Sequence, residues 1–460
     1  MRPKHSYGAA AFAVLSLVAL APAAAETSAP DQTVPVTIYT GVTLIDGTGA
    51  PARPNMAIRV DGDKIAAIFE DGKLGAFPET AEIVDASGLF ALPGLIDSHV
   101  HLATPPNRSR AHALLRRHLY SGVTAVRDMA DDLRSLGEIT RETRVGEVPG
   151  PDIYYAALVA GPSFFTDPRT IAVAAGRTPG EVPWMQAIDE TTDLTTAVAM
   201  ARGTSATAIK IYANLPAPAV AAITAEAHRQ DVPVWAHAMV FPTTPEEVID
   251  AGVDVMSHSC YMAYQVTPRQ PQSYQERFPV EEAPFADGDN PQLRALFARM
   301  GQEDIILDAT NRVYAVGAER YREGETDTPP FCSETLSYSL TAQAYREGVD
   351  IAAGTDGMTA WDDPYPALFE ELELLAEEVG MPPIQVIRSA TLVGAMAIGE
   401  QDRMGTAEPG KLANLVFVER DPLADIGNLR SVAFTLKRGE RFDRADYMPI
   451  TEAEMSADPE

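Results

Sequence analysis

Six residues in this sequence combine reactive side chains with regular placement. His99 and His101 lie two apart at the end of the apolar run Gly94-Leu-Ile-Asp-Ser-His-Val-His. Side chains alternate faces along a strand, so both imidazoles point to one side, about 7 Å apart, and can grip a single ion. His237 and His258 close two later apolar runs, and Asp356 ends the last, in Ala353-Gly-Thr-Asp-Gly. A lone histidine is more often structural than a ligand. Here four of eight histidines fall at strand ends with a carboxylate in step, a donor set that suits zinc or a similar divalent ion.

The sixth residue, Lys210, is embedded in Ala208-Ile-Lys-Ile-Tyr. An ammonium has no lone pair for a metal and is expensive to bury. Either a neighbouring carboxylate pairs with it, or the amine carries carbon dioxide as a carbamate, an anion whose two oxygens can bridge two cations. Tyr212 shares the parity of Lys210, one pleat further on, where a phenol either donates to a developing oxyanion or packs as an aromatic. His112, His118 and His228 read as surface or packing residues. Arg127 and Asp128, at the end of another run, read as ion-pair partners in preference to substrate contacts.

The positioning elements follow from the pattern. Eight short apolar runs (94–102, 123–129, 152–160, 206–213, 232–238, 254–259, 304–310 and 349–357) alternate with helical segments at 111–120, 217–229, 245–251, 291–300, 337–347 and 366–379. Eight βα units predict a closed parallel (β/α)8 TIM barrel over 91–404, with reactive groups at the C-terminal strand ends. The alternative, an open doubly wound sheet, lacks a glycine-rich phosphate turn after its first strand. Strand-like runs in 26–90 and 405–446 predict a small β-sandwich domain built from both chain ends, and 447–460 is an acidic tail. Long connections at 161–191 and 261–290, with 311–335, should cover the active face and set specificity.

These residues resemble the amidohydrolase superfamily, in its prolidase-like, imidazolonepropionase-like branch. Leu92-Pro-Gly-Leu-Ile-Asp-Ser-His-Val-His is similar to the first-strand signature, and Ile209-Lys-Ile-Tyr, Val234-Trp-Ala-His, Met256-Ser-His-Ser and Ala353-Gly-Thr-Asp to the later ligand strands. Gly122-Val-Thr-Ala-Val-Arg-Asp and Gly405-Thr-Ala-Glu-Pro-Gly-Lys-Leu-Ala-Asn-Leu-Val also fit. The resemblance implies two divalent metal ions, expected to be Zn²⁺. His99, His101 and Asp356 would hold one, His237 and His258 the other, and N-carboxylated Lys210 would bridge them. A hydroxide between the metals would attack the substrate, with Asp356 moving its proton to the leaving group. One departure concerns substrate: Gly161-Pro-Ser-Phe-Phe-Thr-Asp-Pro lacks a histidine that close relatives often carry after strand three.

Composition bounds the rest. The chain has 460 residues, 46% hydrophobic and 22% charged, so a large core is expected and general disorder is not. A formal charge of −29 argues against nucleic acid and anionic membrane as partners. Arg2 and Lys4, an apolar run over 9–21 and Ala23-Ala24-Ala25 read as a signal peptide over 1–25, giving an exported, periplasmic or extracellular protein; an uncleaved anchor is the competing reading. Cys260 and Cys332 could then form a disulfide or remain free thiols. A homo-oligomer is left open. The expected function is hydrolysis of an amide or peptide bond in a dipeptide or N-acyl amino acid. A lactonase or phosphotriesterase, a one-metal deaminase and a non-catalytic metal-binding protein are the alternatives.

Overall fold

In the computed structural model, which describes residues 34–73, 77–174 and 176–456, eighteen strands fall into two sheet systems. The first is built from β1 (Val36–Leu44), β2 (Arg53–Asp61), β3 (Lys64–Glu70), β4 (Glu82–Asp85) and β5 (Phe90–Pro93). The second, the barrel, begins with β6 (Leu95–Val100), β7 (Val123–Asp128) and β8 (Asp152–Ala160), extended by the short β9 (Glu181–Val182) and β10 (Met185–Ala187). It continues through β11 (Ala208–Ile211), β12 (Val234–His237), β13 (Val255–Ser257), β14 (Ile306–Asp308) and β15 (Ile351–Ala352). The chain then returns to the first sheet as β16 (Leu415–Val418), β17 (Val432–Lys437) and β18 (Glu440–Asp443).

The barrel strands pair in parallel in the order β6-β7-β8-β11-β12-β13-β14-β15. Closure comes from the Ser98 amide donating to Ala353 O at 2.8 Å and the Asp356 amide to His99 O at 3.0 Å. Helices cover the outside, so these strands are buried on both faces. Every residue of β6, β7 and β8 is buried, the continuous apolar reading expected of a parallel sheet. Polar caps set the helix starts: Asn107 for Arg108–Tyr120, Asn290 for Pro291–Gln302, and a Thr244–Glu247 capping box for Pro245–Asp250.

The expected (β/α)8 barrel with a β-domain from both chain ends is the observed architecture. The end strands form one hydrogen-bonded sheet ordered β18-β17-β16-β5-β1-β2-β3, with β4 beside β1. It folds over its own core: the Tyr39 ring lies 5.7 Å from Phe434, although two strands separate β1 from β17. Barrel and sheet belong to one compact unit, Pro35–Glu460. The tail is less loose than its composition suggests. Helix Glu452–Ser456 lies against Arg108–Tyr120, where Arg116 pairs with Glu454 at 2.9 Å and Ile450 is buried beside Leu114. The signal-peptide reading of 1–25 falls outside the described residues.

Candidate metal centre at the barrel mouth

All six residues singled out from the sequence line one cavity of about 540 Å³. β6 delivers His99, β11 Lys210 and β12 His237; His101, His258 and Asp356 follow β6, β13 and β15. Backbone conformation aims the last two: His258 has φ 76° and Asp356 φ 45°, left-handed values uncommon for residues with a side chain and typical of constrained sites. Asp97 and Thr355 fix the seam between first and last strands. The Asp97 carboxylate accepts from the His99 amide (3.1 Å) and the Thr355 hydroxyl (3.0 Å).

The imidazoles are oriented from behind. His99 Nδ1 donates to Asp308 Oδ2 at 2.7 Å, and His101 Nδ1 to Asp131 Oδ1 at 3.0 Å. The carboxylate behind each ring favours the tautomer with its proton on Nδ1, which would present Nε2 to a bound metal. In the metal-free protein Asp131 and Asp356 raise the His101 pKa against the effect of burial. Both Nε2 atoms lie 3.5 Å from Asp356 Oδ1. Two imidazole nitrogens thus face one carboxylate oxygen, an arrangement that a cation between them would satisfy. His258, whose Nδ1 is hydrogen-bonded to Thr310 at 2.9 Å, also faces Asp356 at 3.9 Å. His99, His258 and Asp356 offer ligand atoms all within 4.8 Å of one another. The His237 ring stands 4.9 Å from that of His258, and its buried Nδ1 has no hydrogen-bond partner.

Lys210 is 1% exposed, and its Nζ has one hydrogen bond, to Ser257 Oγ at 3.3 Å. Among the described residues no carboxylate forms an ion pair with it, so the paired-lysine reading finds no partner. Burial, reinforced by the Arg127 charge, pushes its pKa down to about 7, which supplies the neutral amine that carbamate formation needs. Burial likewise holds His258 down to about 3 and His237 well below its usual value, leaving both neutral with lone pairs free. Burial alone would raise the Asp356 carboxyl, but His99, His101 and His258 hold it below the usual carboxylate range. The donor set and the unsatisfied atoms fit divalent metal.

The sequence reading missed Asp308, at the end of β14. It is fully buried and accepts from His99, from Arg127 Nη2 (2.8 Å) and from Ser257 Oγ (2.9 Å). Its signal was available, a charge closing an apolar run as Lys210 interrupts another. Arg127 is the structural ion-pair partner expected, stacked over Trp235 and outside the cavity lining, one carboxylate behind His99. Tyr212 packs against His237 (4.1 Å between rings) and Phe164 (4.5 Å) in the cavity wall. His112 pairs with Glu142 and His228 with Asp254, while His118 is buried on its helix. The long connections contribute Phe164, Arg169, Tyr274, Arg277 and Phe331 to the lining. Cys260 and Cys332 form a disulfide with Cα atoms 6.1 Å apart.

Fold and site together define a class, the (β/α)8 barrel carrying an imidazole–carboxylate cluster at the C-terminal mouth. Residues 340–441 match the amidohydrolase family. Among solved structures, a Xaa-Pro dipeptidase with bound methionine is 22% identical with a TM-score of 0.67, covering 89% of this chain and 100% of that one. The ochratoxinase of A. niger is 20% identical with a TM-score of 0.68, covering 89% and 96%. These show the shared fold. Among curated relatives, N-acyl-D-aspartate deacylase of Alcaligenes xylosoxydans xylosoxydans is 43% identical over 65 residues, 14% of this chain and 12% of the relative. The 5-methylthioadenosine/S-adenosylhomocysteine deaminase of Teredinibacter turnerae is 33% identical over 91 residues, 18% and 20%. The matched segments thus span a fifth or less of these relatives.

Proposed function

We propose that this protein is an exported, binuclear metal-dependent hydrolase that cleaves an amide or peptide bond in a small molecule, either a dipeptide or an N-acyl amino acid. The observation that carries the reading is the convergence of His99 Nε2 and His101 Nε2 on Asp356 Oδ1, each at 3.5 Å. His99, His101 and Asp356 would hold one divalent ion, His237 and His258 a second, and carbamylated Lys210 would lie between them. Zinc suits these donors. Such a pair, when bound, supplies an activated water at neutral pH and polarises the scissile carbonyl.

The chain's own residues do the remainder. Asp356, anionic and hydrogen-bonded through its amide to β6, accepts a proton and returns it to the leaving nitrogen. Asp308 and Asp131 keep the imidazole tautomers fixed. The phenol of Tyr212, in the wall beside His237, would donate toward the carbonyl oxygen. The dipeptidase and deacylase named above support amide chemistry, and the Cys260–Cys332 disulfide supports an oxidising compartment. Among the described residues no helix is long and apolar enough to cross a membrane.

The test is a panel of dipeptides, N-acyl amino acids, lactones and phosphotriesters presented to protein loaded with zinc. Turnover of amides above esters is expected. Turnover confined to lactones or phosphotriesters would replace the amide assignment, and none on any member would remove it.

A further inference from the structure

The cavity wall holds a cation, Arg277, that forms no ion pair with a carboxylate among the described residues, Asp167 acting on it only at a distance. Arg277 follows the short turn Tyr274–Glu276 in one of the long connections and lines both the inner cavity and the groove outside it. It therefore sits where the two cavities adjoin. Its guanidinium lies over the Tyr274 ring, 3.5 Å from the centroid. Nη1 donates to the Tyr261 hydroxyl at 2.6 Å and Nε to Tyr274 O at 2.8 Å. These contacts fix the plane of the fork yet bring no negative charge. Among the described residues no carboxylate forms an ion pair with Arg277. The acid on the neighbouring wall, Asp167, is taken up by Arg169 through two hydrogen bonds, of 3.0 and 2.7 Å.

An unpaired, half-buried cation is unexpected on a chain with formal charge −29 unless a ligand completes it. A planar fork with two sides already anchored is prepared for a planar anion. The aromatic wall beside it, Phe164, Tyr212 and Tyr274, offers apolar contact to whatever adjoins that anion. Tyr261 links the two regions, its ring 5.4 Å from that of His237 and its hydroxyl on Arg277.

We infer that Arg277 is the specificity anchor of the site and binds a free carboxylate of the substrate, so that substrates are amides bearing a carboxylate next to an apolar group. The inference rests on the hydrolase reading for its substrate, but binding tests it separately. Calorimetric titration with N-acetyl-phenylalanine and with its neutral amide, N-acetyl-phenylalaninamide, compares wild type with Arg277→Met and Arg277→Lys, each checked for folding by circular dichroism. Wild type should bind the acid at least 30-fold more tightly than the amide. Arg277→Met should bind the acid as weakly as the amide, and Arg277→Lys should fall between. Equal affinities in wild type, no binding of the acid, or an unchanged preference in folded Arg277→Met would each overturn the assignment. A preserved preference without hydrolysis of any amide would reject the hydrolase reading and leave the anchor standing. Hydrolysis without the preference would do the reverse.

Discussion

Asp308 accepts the Nδ1 proton of His99 at 2.7 Å while pairing with Arg127 at 2.8 Å, so one buried carboxylate joins the candidate metal centre to a cation in the barrel core. Burial would raise its pKa, but His99 and Arg127 hold it down to about 2. Asp308→Asn leaves Arg127 charged, buried and unpaired, which costs about 3–5 kcal/mol. It also frees the His99 tautomer, and metal affinity should drop roughly 10–100-fold. Denaturant unfolding of the metal-free protein and a competitive metal titration check the two effects separately.

Lys210 should behave oppositely in stability. Its ammonium is buried with one long hydrogen bond, so Lys210→Met removes a poorly solvated polar group in exchange for an apolar one of similar length. Metal-free Lys210→Met should melt at or above the wild-type temperature, whereas the same variant exposed to zinc should retain at most one metal per chain. A clear loss of thermal stability alongside full metal content would contradict the bridging role.

Asp356→Asn preserves shape and removes the proton acceptor. Turnover of the best amide substrate should drop by about 10²–10⁴-fold, with metal content kept largely intact by the four imidazoles and Lys210. Steady-state kinetics paired with metal analysis of the same sample decide it, and full activity would remove Asp356 from the mechanism.

The disulfide closes a loop across 72 residues, a constraint worth on the order of 4 kcal/mol in the chain-entropy picture. Cys332→Ser should therefore lower the melting temperature. It should also raise KM more than it lowers kcat, because Phe331 and Tyr261, neighbours of the two cysteines, stack at the cavity wall.

His118, which lines the same cavity but belongs to the helix Arg108–Tyr120, gives a pH signature of its own. Burial pushes its pKa down to about 4, and its Nδ1 donates to Leu114 O. The unfolded chain takes up a proton near pH 6.5 and the folded one does not, so stability is intact above pH 6.5. It declines as pH falls toward 4, by roughly 3 kcal/mol in all. Melting curves between pH 7 and 4 should show this decline, and His118→Phe should make it shallower, the remainder coming from the buried His237 and His258.

Much of this molecule was legible in its residues. Barrel strands are apolar on both faces, so each stood out as a short uninterrupted run, and reactive groups at their ends were conspicuous. Helix Leu133–Arg144 was not anticipated, although Leu133, Leu136 and Ile139 form a regular buried face. Asp308 was passed over because its role depends on which strands close the barrel beside it. Arg277 was beyond reach for another reason. Its importance lies in the absence of a partner, and partners in a long connection are set by how that connection packs. The pairing of Cys260 with Cys332 was likewise a matter of distance.

The central claim is that six side chains hold two cations, and anomalous diffraction from crystals grown with zinc tests it most directly. The account predicts two peaks, one among His99, His101 and Asp356 and one between His237 and His258, with carbamate density on Lys210 joining them. A single peak beside an unmodified lysine, or no peak at the barrel mouth, would contradict it.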